Sequence, residues 1–270
     1  MLVALHGFTE NDLVWDDVLR PVIPNLVSPL LPGHGWKPCP ATTSVETVAD
    51  DLATRYLTDA PADVLGYSMG GRIALVLAMR HPQRIRRLVL VSSGPGFKDG
   101  VLQGSRRTHE MALADTLEDD GLGPFVAMWE KNPILTPAKP LPRALEEDVR
   151  ARRMNHDPNG LASALRQLGA GAMPNLWERL STVTCPTLLI AGAADHCYVE
   201  VMGEMATAMP KARLEIVAEA GHGIHREQLD AVRRLVAGYL AYVTTATAPR
   251  RTSTTLRASG SRPAGGYHAR

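Results

Sequence analysis

Nowhere in this 270-residue chain is there an unbroken apolar run of about 18, so no segment is suited to span a bilayer. Its first residues also lack the basic-then-apolar order of a secretory leader. Net charge is almost absent, +1 at pH 7, and charge alone therefore points to neither a nucleic-acid nor a membrane partner. Cysteine is scarce. Cys39, Cys185 and Cys197 are odd in number and too far apart for a paired metal motif, which argues against a disulfide framework and for a reducing, cytoplasmic compartment. There is no internal repeat, and Met1 sits directly on the first strand-like run.

Acids are missing from the last stretch, 244–270, which is rich in Thr, Ala, Ser and Gly and holds five arginines, at 250, 251, 257, 262 and 270. With almost nothing to bury, it is expected to be a disordered basic tail. The rest of the chain keeps 24 of the 29 basic residues against 28 acids and is mildly acidic.

What is present is a rhythm of short β-rich runs: LVAL (2–5), NLVSPL (25–30), ADVLGY (62–67), RLVLVSS (87–93), CPTLLIAGA (185–193) and ARLEIVA (212–218). Helical patterns such as 45–57 and 69–80 fall between several of them, as in a parallel sheet with crossover helices. Continuously apolar runs such as LVLVSS suit strands covered on both faces. From about 97 to 180 the strand signal disappears and four amphipathic segments replace it. The expected organisation is an α/β core over 1–96 and 181–243, with 97–180 forming a helical cap over the strand ends.

The segment LGYSMGGRIAL (65–75) runs a strand straight into a helix through G-x-S-x-G, the crowded elbow that lifts a serine hydroxyl above a sheet and sets it at a helix N-terminus. The bland alternative is an ordinary tight turn. A serine needs a histidine to take its proton and a carboxylate to orient that histidine. Asp195, after TLLIAGAA, and His222, after LEIVA, supply both at strand ends, in the Ser–Asp–His order of an α/β-hydrolase elbow. His225 and His196 are the reserve bases. Backbone N–H groups of Met69 and Phe8 are the candidate oxyanion donors. His6 reads as a structural residue of the HGF turn, and LPGHG (31–35) as a shaped loop. No metal site is expected.

Arg72 lies four residues past Ser68, one helical turn along the same face. A guanidinium placed there needs an anionic partner. Two partners suit it: an internal acid such as Asp16, Asp17 or one in the cap, or a carboxylate on the substrate, for which the guanidinium fork is a bidentate donor. Cap arginines at 106, 107, 150, 152 and 153 could add to either arrangement.

HGFT (6–9), LPGHG (31–35), GYSMGGRIAL (66–75), SSGPGF (92–97), WEKNP (129–133), RQLGAGAMPNLWERL (166–180) and AGHGIHREQ (220–228) together resemble the 2-succinyl-6-hydroxy-2,4-cyclohexadiene-1-carboxylate synthases of menaquinone biosynthesis, over about residues 2 to 240. The resemblance implies an α/β-hydrolase fold with the cap inserted after the family's sixth strand. It also implies an N-terminal hairpin that is missing here: either the true start lies upstream, or the sheet has lost two edge strands, which would leave an unprotected sheet edge. It implies a lyase in which the triad acts as a base and pyruvate leaves, with no cofactor and a small polycarboxylate substrate. By the same resemblance Arg72, Arg106, Arg153, Trp129 and Tyr67 contact that substrate. Two other readings stay open: a carboxylic-ester or thioester hydrolase with Ser68 as covalent nucleophile, and a non-catalytic ligand-binding relative.

Overall fold

A computed structural model describes residues 1–246, with side chains placed through 241. Six strands, β1 (Leu2–Leu5), β2 (Leu26–Val27), β3 (Ala62–Tyr67), β4 (Ile85–Val91), β5 (Thr187–Gly192) and β6 (Ala212–Val217), form one all-parallel sheet in the order β2-β1-β3-β4-β5-β6. The reversal of order at β1 and β3 opens a crevice beyond the strands' C-terminal ends, where open α/β sheets place their sites. The register aligns those ends: Leu5 pairs with Gly66, Tyr67 with Val91, and Val91 with Ile190.

Side-chain alternation along the strands divides the core in two. Val3, Leu5, Val64, Leu88 and Leu90 pack beneath α2 (Val45–Tyr56), α3 (Met69–Arg80) and α8 (His196–Ala208). Their neighbours Leu2, Ala4, Leu65, Val89 and Val91 pack on the opposite face, against α1 (Leu13–Leu19) and α10 (Leu229–Ala246). Both faces are covered, hence the unbroken apolar runs in the sequence. Each such valine or leucine, fully buried, stabilises the fold by ~1.5–3 kcal/mol.

Between β4 and β5 the chain makes no strand. It forms α4 (Gly100–Asp119), α5 (Leu122–Trp129), α6 (Arg143–Arg153) and α7 (Pro158–Leu168), which bury a cluster of their own around Leu117, Phe125, Val126 and Leu161. Local chemistry sets their starts. Asp99 accepts the Val101 N–H at 2.7 Å, and Asp157, followed by Pro158, accepts those of Asn159 and Gly160. The four-residue α9 (Ile224–Glu227) precedes α10.

The outer edge strand β2 is only two residues long, which leaves little ladder for another chain to extend. Of the stretch 244–270, positions 244–246 continue α10 as helix, contrary to the expected disorder, and 247–270 lie outside the described residues.

Candidate active site

Ser68 joins β3 to α3 with φ 51° and ψ −112°, a left-handed conformation that a non-glycine residue adopts only under constraint. The constraint comes from close backbone approach. A Cβ on Gly66 would stand 2.3 Å from the Gly70 carbonyl oxygen, and one on Gly70 would stand 2.5 Å from that of His6. The Ser68 carbonyl accepts the Ser93 hydroxyl at 2.9 Å and the Arg72 N–H at 3.1 Å, so the turn is held on both sides.

Asp195 ends the loop after β5, and His222 lies in the loop after β6. An Ala194 N–H to Ala220 carbonyl bond of 2.9 Å ties the two loops together. His222 Nδ1 is 2.7 Å from Asp195 Oδ2, and its Nε2 is 3.1 Å from Ser68 Oγ. Aspartate and histidine are 8% and 4% exposed, so water does not compete for the pair. The rings of Tyr198 and Tyr67 flank the imidazole at 4.9 Å and 5.4 Å. Neither reserve histidine is in the triad: His196 is exposed at the start of α8, and His225 is buried against Glu10.

Met69 opens α3, so its N–H is among those a helix leaves without an internal partner. Phe8 faces the same cavity. His6 holds the turn before Phe8, its Nδ1 bonded to the Gly7 carbonyl at 2.8 Å and its Nε2 accepting the Leu31 N–H at 3.0 Å. Burial lowers its pKa from 6.5 to about 4, so it stays neutral with both nitrogens engaged. His34 bonds the Pro32 carbonyl and packs edge-on against His6, Phe8 and His156. No cluster of metal-ligating side chains occurs among the described residues.

Ser68 opens into a cavity of about 420 Å³ between the sheet and the inserted helices. Arg72 lines it, with Nη1 buried and without a hydrogen-bond partner. Burial pushes its pKa down, opposed chiefly by the charge of Glu110. The two acids on α1 named as its internal partners pair elsewhere, Asp16 with Arg20 and Asp17 with Arg152. Arg106 also lines the cavity. Its Nε donates to Glu110 at 2.7 Å, and Glu110, 1% exposed, further accepts the Ala170 and Gly171 N–H groups.

Trp129 lines the cavity against Phe8 and Phe125, and Tyr67 forms part of its wall. The structure does not bring Arg153 to this lining: it is buried beside Glu130, to which its Nη1 donates at 3.3 Å. Arg107 and Arg152 are also turned aside, to the Arg166 carbonyl and to Asp17 and Asp148.

Three residues absent from the sequence reading also shape the site. Glu110 had a local signal, standing four residues after Arg106 on one helix. Tyr198 sits in the first turn of α8 after Asp195 and reaches both His222 and the cavity. Glu10 had none, because its side-chain partners His225 and Arg226 lie more than 200 residues along the chain.

A serine elbow and its triad beneath inserted helices define a class, and the chain belongs to the alpha/beta hydrolase family, whose profile matches residues 2–235. Within that family it belongs with the 2-succinyl-6-hydroxy-2,4-cyclohexadiene-1-carboxylate synthases. It is 34% identical over 249 residues, 90% of each chain, to a protein of Bacillus subtilis (strain 168) provisionally named as such a synthase. A solved structure of MenH from S. aureus matches with a TM-score of 0.85 and 32% identity, over 90% of this chain and 94% of that one. A pimeloyl-[acyl-carrier protein] methyl ester esterase of Aromatoleum aromaticum is 32% identical over 82% of this chain and 90% of its own.

Proposed function

We propose that this enzyme is a carbon-oxygen lyase that eliminates pyruvate from 2-succinyl-5-enolpyruvyl-6-hydroxy-3-cyclohexene-1-carboxylate, giving 2-succinyl-6-hydroxy-2,4-cyclohexadiene-1-carboxylate. The observation that carries this reading is Arg72, a cation in the Ser68 cavity with a buried Nη1 that no protein group satisfies. A buried donor left without an acceptor is costly, and a substrate carboxylate offsets that cost by supplying the missing acceptor. Arg106 adds a second positive group to the same cavity. A simple ester has no such demand for cations.

In the proposed chemistry Ser68, made basic by His222, takes a proton from the ring carbon beside the succinyl carbonyl. The released electron pair passes through the ring to form the second double bond, and the ring C–O bond to the enolpyruvyl group breaks. Enolpyruvate leaves with that oxygen and gains a proton to become pyruvate. Asp195 orients His222 and stabilises its charged form. Negative charge that builds on the succinyl oxygen meets the Phe8 and Met69 N–H groups. Helices α4–α7 act as the cap, with Trp129 and Tyr67 as walls toward the ring. No cofactor is required by this sequence of steps. Three free cysteines support a reducing, cytoplasmic setting.

The esterase relative favours a second reading, because the same 3.1 Å Ser68–His222 contact also suits covalent attack on an ester. Purified protein is offered the enolpyruvyl substrate and, in parallel, a panel of activated esters. Stoichiometric pyruvate with slow ester turnover is the expected result. Rapid ester turnover with an acyl-enzyme burst and no pyruvate overturns the lyase reading.

A further inference from the structure

Glu10 is a buried carboxylate two residues past Phe8, and none of the steps above uses it. Its Oε2 accepts the Gly7 N–H at 3.0 Å, and its own N–H donates to the Gly7 carbonyl at 3.3 Å, so it closes the turn that carries Phe8. The other oxygen faces a different loop. Oε1 lies 2.9 Å from His225 Nε2 and also accepts from Arg226 Nη2. Those two residues belong to α9, which begins two residues after His222. One side chain therefore spans the loop of Phe8 and the loop of His222.

The packing around this bridge is tight. The Tyr67 ring lies 4.5 Å from that of His225 and 5.4 Å from that of His222, and a Cβ on Gly7 would stand 2.6 Å from the same tyrosine. Burial opposes ionisation of Glu10, but Arg226, His225 and the Gly7 N–H outweigh it and hold the carboxyl well below the usual range. An ionised carboxylate with three donors has one orientation open to it. Glu10 does not line the Ser68 cavity. It faces a separate cavity of about 130 Å³ between α1 and α6, away from the reacting atoms.

We propose that Glu10 is a positioning residue that couples the oxyanion turn to the catalytic-histidine loop, keeping the Phe8 N–H and the His222 imidazole in register across Ser68. The inference rests on the assigned roles of Phe8 and His222 and applies equally to a lyase or an esterase. Neither loop is fixed by a strand ladder at this point, so their mutual placement depends on such a cross-link. A misplacement of about 1 Å between groups that act together costs on the order of 100-fold in rate.

The test uses Glu10→Ala, Glu10→Gln and Arg226→Met in the full chain. Steady-state rates are measured on whichever substrate, enolpyruvyl compound or activated ester, the unaltered enzyme turns over. Amide hydrogen exchange is followed in peptides covering 6–11 and 220–227. Glu10→Ala is expected to lower kcat roughly 10- to 100-fold, with KM within about twofold, and to speed exchange in both loops. Glu10→Gln keeps a carbonyl for the Gly7 N–H and should fall between the two, with an unchanged circular dichroism spectrum. Arg226→Met should speed exchange in 220–227 and, more weakly, in 6–11. Exchange that rises only in 6–11, or a KM that rises while kcat holds, overturns the coupling. If the enzyme turns over neither substrate, the proposed function fails, and the exchange measurements still decide whether the loops are coupled.

Discussion

The backbone N–H of Arg72 donates to the Ser68 carbonyl at 3.1 Å, closing the first turn of α3 and setting the serine hydroxyl and the guanidinium in one cavity. In the proposed function, proton abstraction and anion binding are thus built from a single helical turn. Changes at Arg72 can be confined to binding because the elbow is held by backbone and by Ser93, not by the guanidinium.

Arg72→Met should therefore separate stability from activity. Replacing a partly buried, unsatisfied cation by an apolar chain of similar length leaves the melting temperature unchanged or raises it. The same change should lower kcat/KM for the anionic substrate by roughly 30-fold to several thousand-fold, ~2–5 kcal/mol. Thermal melts and pyruvate-release kinetics on the same preparation check both signs. An unaltered kcat/KM would make the residue structural.

Ser68→Ala and His222→Ala are expected to be non-additive. In the proposed chemistry the two groups hand over one proton, so either change alone should cost about 1,000-fold in kcat and the double change little more. Rates for the two single variants and the double variant give the coupling directly. Independent, multiplying losses would mean that Ser68 and His222 do not act as a unit.

Glu110→Ala should destabilise the cap more than an ordinary surface change. It strips acceptors from the Ala170 and Gly171 N–H groups and from Arg106 Nε, inside a site where Glu110 itself is 1% exposed. A loss of about 2–4 kcal/mol is expected from urea titration, together with a raised KM as Arg106 loses its anchor.

Acid should weaken the fold through its buried histidines. Burial lowers the His6 pKa from 6.5 to about 4, and it also lowers those of His34, His156 and His225. The unfolded chain then binds protons that the folded chain refuses. Stability is complete above pH 6.5 and falls as pH drops toward 4, by at most ~3 kcal/mol for His6. Glu10, whose pKa is depressed, contributes stability that is lost only below its ordinary 4.5. Urea midpoints between pH 7 and pH 4.5 should decline, and a flat profile would remove the histidines from the account.

Much of this architecture was legible because its signals are local. The six strands fall within or overlap the β-rich runs, and the central ones, such as β5, are apolar along nearly their whole length because both their faces are covered. The elbow is equally plain: Gly66 and Gly70 stand where a Cβ would strike backbone. Arg153 shows the limit. It shares helix α6 with Arg150 and Arg152, yet Glu130, on another element, decides where its guanidinium points.

The sequence by itself determined the parallel sheet, the serine elbow and the order of its acid and base, because backbone sterics and hydrophobic period act over a few residues. Only the tertiary structure decided which charges are spent on the protein and which are left for a ligand. Arg72 has an unsatisfied nitrogen because α1, with Asp16 and Asp17, packs on the opposite face of the sheet and Glu110 bonds Arg106 and two backbone N–H groups, and Glu10 joins two loops because folding brings the side chains of residues 10 and 225 within 2.9 Å. Charge pairing depends on where distant segments meet, and no short window of sequence contains that information.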